Sequence, residues 1–372
     1  MKFRYITLTI CILLSALATR AQTDSFIVDG VYRNYIYHLP TGYNAANAYP
    51  LVLNLHGYTS NASQQMLYTQ MNTSADANGY IVVYPNGIAN YWNSFGAGAD
   101  DVKFLSQLID TISAHQHVNP KRVYSCGMSN GGYMSYTLAC TLADKLAAIA
   151  SVAGTMSLNT YSTCQPARKI PVMHIHGTTD PTVNYNTGAP NSIGVEQTLA
   201  FWRDTLDCQH ITDTTDIPNT STADGCTAQR IHYPTCAGGN DILFFKITGG
   251  GHTWPSALID IPSYGNTNHD MSATTEIWNF FNRYTLDGPV ATGINDVQGA
   301  ATTIYPNPAA NTLTISSDYE VQNTTICDAA GRTVIAVAKN KTIDISSLGT
   351  GIYIAKISCT NDQQQVIKFV KQ

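Results

Sequence analysis

Arg122-Val123-Tyr124-Ser125-Cys126-Gly127-Met128-Ser129-Asn130-Gly131 is the stretch that decides how this chain folds. Its first five residues are a short apolar-rich strand, and Gly132 to Leu142 continue as a helical pattern. A strand that passes into a helix through Gly-x-Ser-x-Gly makes a turn so sharp that the serine hydroxyl stands clear of the sheet. Glycine is required on both sides of that turn because a side chain there would collide with the neighbouring strand or helix.

A serine nucleophile needs a base, and the base needs an orienting acid. Both follow in chain order. Lys169 to Gly177 reads as a buried strand, and Asp180 lies just beyond its carboxyl end, where open α/β sheets collect their functional groups. Asp241 to Ile247 reads as another strand and runs into Thr248-Gly249-Gly250-Gly251-His252-Thr253-Trp254-Pro255, which puts His252 on a glycine-rich loop. Upstream, the apolar run Leu51-Val52-Leu53-Asn54-Leu55 ends in His56-Gly57-Tyr58-Thr59. Such a turn presents a backbone N–H to a developing oxyanion. We assign that donor to Tyr58 and its companion to the N–H of Asn130, donors worth about 3–4 kcal/mol each in a transition state.

These segments resemble the secreted esterases that include polyhydroxybutyrate depolymerases, feruloyl esterases and acetylxylan esterases. The resemblance rests on Leu55-His56-Gly57, Gly127 to Gly132, His176-Gly177-Thr178-Thr179-Asp180 and Gly250 to Pro255, with Tyr91-Trp92-Asn93-Ser94 and Asp100 to Phe104 in support, and it covers about residues 26–286. It implies an α/β-hydrolase fold in which Ser129, Asp180 and His252 are nucleophile, acid and base, with no metal or organic cofactor. Tyr58 stands where the depolymerase branch often has Cys, which counts against the depolymerase reading; the expected substrates are feruloyl or acetyl esters of plant polysaccharide, with a polyester such as polyhydroxybutyrate as the alternative. A peptidase, or a binding module on a relict hydrolase fold, are the other readings.

The rest of the chain agrees with export. Met1-Lys2-Phe3-Arg4 followed by the apolar run Ile6 to Leu17 reads as a signal peptide over residues 1–21, too short to span a bilayer. A net charge of −5 with only 12% charged residues leaves no nucleic-acid footprint. Six cysteines (Cys126, Cys140, Cys164, Cys208, Cys226 and Cys236) lie in the catalytic region, and an oxidising compartment favours disulfides among them. Their spacing does not choose among the fifteen possible pairings. Three of them fall in a Gly/Thr/Asp-rich insertion, so at least one bridge is expected to pin it. No CxxC pair supports zinc.

Strand patterns at 25–28, 31–38, 51–55, 80–84, 122–126, 170–176 and 242–248 alternate with helical patterns at about 101–116, 130–142, 192–206 and 273–284. This predicts a mostly parallel sheet with helices on both faces over residues 22–286. Residues 287–301 read as a linker. Residues 302–372 carry short alternating strands separated by turns, a small β-sandwich by pattern. Tyr305-Pro306-Asn307-Pro308, Asp328 to Arg332, Ser346 to Ile357 and the basic last strand Val366 to Lys371 resemble the C-terminal sorting domain of type IX secretion, which implies passage through that machinery to the cell surface or medium.

The aromatics nearest these motifs are Trp92 and Trp254, expected to contact substrate. His174 and His176 alternate on one strand face; without a third ligand they read as core residues beside the acid. Asp100 or Asp101 is expected to cap the helix that follows. His232 and His269 are fallback bases.

Overall fold

The computed structural model describes residues 21–209, 212–290, 303–317, 320–328, 332–359 and 364–372. Residues 1–20 of the expected signal peptide, and the linker from residue 291 on, lie outside them. The chain divides into two units, Met1–Val290 and Ala291–Gln372.

Among the described residues of the first unit, ten strands form one sheet. The strands are β1 (Gln22–Val28), β2 (Val31–His38), β3 (Tyr49–Leu55), β4 (Ile81–Pro85), β5 (Val118–Met128), β6 (Ala148–Val152), β7 (Val172–Gly177), β8 (Asp213–Asp216), β9 (Thr227–Tyr233) and β10 (Ile242–Thr248). Their order is β1-β2-β4-β3-β5-β6-β7-β10-β9-β8. The six central strands, β4 to β10 in that order, are all parallel, and antiparallel hairpins close both edges. Parallel strands need both faces covered. Here period-two alternation divides the side chains: Leu51, Leu53 and Leu55 of β3 join one core, and Val52 joins the other.

The helices are α1 (Ala62–Thr69), α2 (Met71–Asn78), α3 (Asp101–His115), α4 (Asn130–Thr141), α5 (Leu158–Thr163), α6 (Val195–Thr205) and α7 (Ala273–Phe281). Phe104 and Leu108 of α3, Met134 and Leu138 of α4, and Leu199 and Trp202 of α6 fill the first core. Met71 and Ala75 of α2 and Ile277 and Phe281 of α7 fill the second. Asp100 caps α3 by accepting the Lys103 N–H at 2.9 Å. Asp101 is instead buried; it binds Arg33 at 2.6 Å and accepts the Asn93 N–H at 2.7 Å. The hairpin β11 (Tyr284–Thr285) and β12 (Gly288–Pro289) carries the first unit to residue 290, four residues into the stretch that the sequence marks as linker.

Among the described residues two disulfides form, Cys140–Cys164 and Cys208–Cys236. The second ties the end of α6 to the loop after β9 and so pins the insertion. Cys126 and Cys226 are free and buried.

The second unit is a β-sandwich. One sheet is β13 (Thr303–Tyr305), β14 (Thr312–Ser316) and β17 (Thr342–Asp344); the other is β15 (Val321–Cys327), β16 (Thr333–Ala338), β18 (Gly351–Cys359) and β19 (Gln364–Lys371). Leu313, Ile315 and Ile343 from the first sheet meet Ile326, Ala355, Ile357 and Phe369 from the second in one core.

Candidate active site

Ser129 sits between β5 and α4 with φ 55° and ψ −118°, a backbone conformation that L residues rarely adopt. Close packing makes the glycines obligatory. A Cβ on Gly131 would stand 2.2 Å from the Leu55 carbonyl oxygen, and one on Gly127 would stand 2.5 Å from the Gly131 carbonyl carbon. The Ser129 N–H donates to Val152 O at 2.8 Å, which hooks the turn to the end of β6.

Asp180 and His252 come together from loops 72 residues apart. His252 Nδ1–H donates to Asp180 Oδ2 at 2.8 Å. The other carboxylate oxygen accepts the N–H groups of Thr182 (2.8 Å) and Val183 (2.7 Å). His176, near the end of strand β7, lies 3.4 Å from the same Asp180 Oδ2 through its Nε2, which also donates to Val183 O at 2.8 Å. Both carboxylate oxygens are therefore held in place, and the Nε2 edge of His252 is left to the cleft. Burial lowers the pKa of His176, and of the stacked His174 still further, so both are neutral.

The cleft has a volume of about 420 Å³ and is lined by Ser129 and His252 together. That volume lies within the usual range for a small-molecule site. Its walls are the His56–Gly57 turn with Tyr58, helix α1 through Gln64, Leu67 and Tyr68, and the loop after His252 through Ile259, Ile261 and Tyr264. Helix α1 and the 256–264 loop were not expected from sequence as walls. The signal for α1 was present: Asn61 caps it by accepting the Gln64 N–H at 3.0 Å, a capping residue followed three positions later by Gln.

The amides of Tyr58 and Asn130 face no acceptor among the described residues outside their own elements. Tyr58 N–H is aimed by a network around His56. His56 Nδ1–H donates to Gly57 O at 2.7 Å, and His56 Nε2 accepts the Gly87 N–H at 3.0 Å. Burial lowers the pKa of His56 to about 4, so the ring is neutral, as this pair of bonds requires. Asn130 adds a second clamp: its side chain accepts the Trp92 N–H at 2.6 Å and donates to Trp92 O at 3.1 Å.

Trp92 and Trp254, expected to contact substrate, are buried and do not line the cleft. Trp92 is 0% exposed and its Nε1–H donates to His56 O at 2.9 Å. Trp254 is 1% exposed and donates to Thr274 Oγ1 at 3.1 Å. Each indole N–H needs a buried acceptor, and in both cases that acceptor lies inward. His232 and His269 are paired with Asp241 and Asp260 and do not line the cleft.

This geometry can be compared with known proteins. The model of the esterase PHB depolymerase family matches residues 33–188. A putative esterase, NocK, from Nocardia uniformis subsp. tsuyamanensis is 30% identical over 259 residues, which are 62% of this chain and 72% of that protein. The chain belongs to this esterase family. A bifunctional acetylxylan esterase/xylanase, XynS20E, from Neocallimastix patriciarum is 32% identical over 273 residues, 73% of this chain and 36% of that protein. Feruloyl esterase B from Piromyces equi is 31% identical over 237 residues, 59% of this chain and 42% of that protein. The chain thus spans less than half the length of these two relatives. An acetyl xylan esterase from Aspergillus awamori shares the α/β-hydrolase fold, with a TM-score of 0.51 at 13% identity over 70% of this chain and 98% of that one. The second unit of this family member matches the secretion system C-terminal sorting domain over residues 303–372, which marks the protein for export. No helix of the described residues is long and apolar enough to cross a membrane.

Proposed function

We propose that the protein is a secreted serine carboxylic-ester hydrolase that cleaves feruloyl or acetyl esters on plant polysaccharide. The observation that carries this reading is the 2.8 Å bond from His252 to Asp180, with His252 and Ser129 opening on one cleft. His252 Nε2 takes the Ser129 proton as the hydroxyl attacks the ester carbonyl. Asp180 holds the imidazole tautomer and stabilises the imidazolium. The Tyr58 and Asn130 amides receive the oxyanion. His252 then protonates the leaving alcohol, and water releases the acid from the acyl-enzyme. The polysaccharide substrate is supported by the acetylxylan and feruloyl esterase relatives, and passage through the type IX machinery by the sorting domain.

The family model supports a second reading, hydrolysis of a polyester such as polyhydroxybutyrate. One experiment separates the two. Wild type and Ser129→Ala are assayed on methyl ferulate, acetylated xylan, an aryl acetate and a polyhydroxybutyrate film. Serine-dependent release of ferulate or acetate is the expected result. Clearing of the film alone selects the polyester, and activity retained in Ser129→Ala overturns the mechanism.

A further inference from the structure

The position of the base assigns one side of the cleft to the alcohol. His252 must hand its proton to the leaving oxygen, so the alcohol lies against whatever surrounds the imidazole. In this protein that is the loop after His252. The Tyr264 ring stands edge-on to the imidazole, with centroids 5.8 Å apart at 73°. The Tyr264 carbonyl accepts the His252 N–H at 2.6 Å, and the Asn266 carbonyl accepts the Gly251 N–H at 2.9 Å. A Cβ on Gly251 would stand 2.1 Å from Tyr264 O, so the two backbones are in direct contact.

The same loop turns an apolar surface outward. Ile259, Ile261 and Tyr264 line the cleft. Leu258 is 55% exposed, Ile259 52% and Tyr264 40%. A run of exposed apolar side chains beside a functional cleft marks a surface that something covers. A small alcohol such as methanol would leave it bare. A sugar residue would cover it, because the C–H face of the ring is the apolar surface that a carbohydrate presents to an aromatic side chain.

We propose that Tyr264, flanked by Ile259 and Ile261, forms the leaving-alcohol subsite and takes a sugar ring face-on. This rests on the esterase reading above. In the step it serves, the bond from Ser129 Oγ to the acyl carbon forms and the bond from that carbon to the sugar oxygen breaks. The proton passes from Ser129 through His252 to the sugar oxygen. Tyr264 is a specificity residue that touches the departing sugar.

The test uses the full chain and two esters with the same acyl group, one on a xylo-oligosaccharide and one on a simple alkyl alcohol. The acyl group is whichever of feruloyl or acetyl the wild type releases. Tyr264→Ala is expected to lower kcat/KM on the sugar ester about tenfold or more, chiefly through KM, and on the alkyl ester less than about threefold, since discrimination is read from ratios of kcat/KM. Tyr264→Phe keeps the ring and is expected to retain both activities. Equal losses on the two esters would show that Tyr264 only holds His252, and would overturn the subsite. A greater loss on the alkyl ester than on the sugar ester would overturn the sugar. Absence of Ser129-dependent turnover of any ester by the wild type would instead overturn the esterase reading on which the subsite depends. Thermal unfolding identifies a variant that has failed to fold; should Tyr264→Ala do so, Ile259→Ser is expected to show the same selective loss on the sugar ester, and equal losses on the two esters in that variant would overturn the subsite.

Discussion

His56 donates to the carbonyl oxygen of Gly57 at 2.7 Å, and this contact sets the direction of the amide that follows. Gly57 C=O and Tyr58 N–H belong to one trans peptide plane and point in opposite directions. Pinning the oxygen therefore aims the N–H. In His56→Ala only the Ser60 N–H, at 3.1 Å, still holds that oxygen. The variant is expected to lose about 10²–10³ in kcat with KM little changed, as for loss of one oxyanion donor. Steady-state kinetics on any ester the wild type cleaves will show it. An unchanged kcat would mean that the Tyr58 amide does not serve the oxyanion.

A separate prediction concerns the acid. Asp180→Asn keeps the shape but replaces the Oδ2 acceptor, and its amide can bind the wrong imidazole tautomer. A loss of about 10⁴ in kcat is expected, as for a buried triad acid. His176→Gln retains a donor to Val183 O but loses the ring beside Asp180 Oδ2, and is expected to cost far less, on the order of tenfold, because the Thr182 and Val183 amides still hold the carboxylate. If His176→Gln were as inactive as Asp180→Asn, the two backbone bonds would not be what holds the acid.

How much of this was legible in the sequence depended on punctuation and pattern. Gly-x-Ser-x-Gly, the strand end before Asp180 and the Gly250-Gly251-His252 loop are local signals, and they locate the candidate triad. Strand β6 went unread because Ala148-Ile149-Ala150-Ser151-Val152 is rich in small residues with weak strand preference, and its neighbours β5 and β7 impose the conformation. Strand β8, Asp213-Thr214-Thr215-Asp216, is an exposed polar edge with no apolar alternation to reveal it. Helix α2 is built from Met71-Asn72-Thr73-Ser74-Ala75-Asp76-Ala77-Asn78, whose Asn, Thr, Ser and Asp compete with the helix for backbone bonds. The two tryptophans show the limit of proximity arguments. Trp254 lies two residues from His252 in sequence, yet its indole turns inward to Thr274, a contact that only the docking of α7 creates.

Buried neutral histidines make the fold acid-sensitive. His56 has its pKa lowered to about 4 by burial, and burial also lowers His174 and His176. In the unfolded chain each takes up a proton near pH 6.5. Between that pH and the folded pKa the unfolded state binds more protons, so stability falls as pH drops and levels off only below the folded value. For His56 the window runs from about 6.5 to about 4 and corresponds to about 3 kcal/mol. Tm measured across this range is expected to fall steeply, and the slope is expected to be shallower in His174→Phe. A Tm independent of pH from 6.5 to 4 would contradict the neutral state of these rings.

The Cys208–Cys236 bridge closes a loop of 28 residues around an insertion with few buried apolar side chains. Closing a loop of that length removes about 3–4 kcal/mol of entropy-derived freedom from the unfolded chain. The double variant Cys208→Ser/Cys236→Ser should therefore lower Tm by several degrees. Its effect on catalysis is expected to be small at low temperature, because neither cysteine lines the cleft. The insertion nonetheless reaches the loop that carries the alcohol-side wall: Asp270 accepts the N–H groups of Thr220 (2.7 Å) and Ser221 (2.8 Å), and Asp224 accepts that of His269 (2.8 Å). Loosening the insertion should therefore be felt first at residues 256–270. Hydrogen exchange in the double variant is expected to rise in that segment before it rises in β7 or β10. Uniform protection across all three would show that Asp224 and Asp270 hold the loop without help from the disulfide.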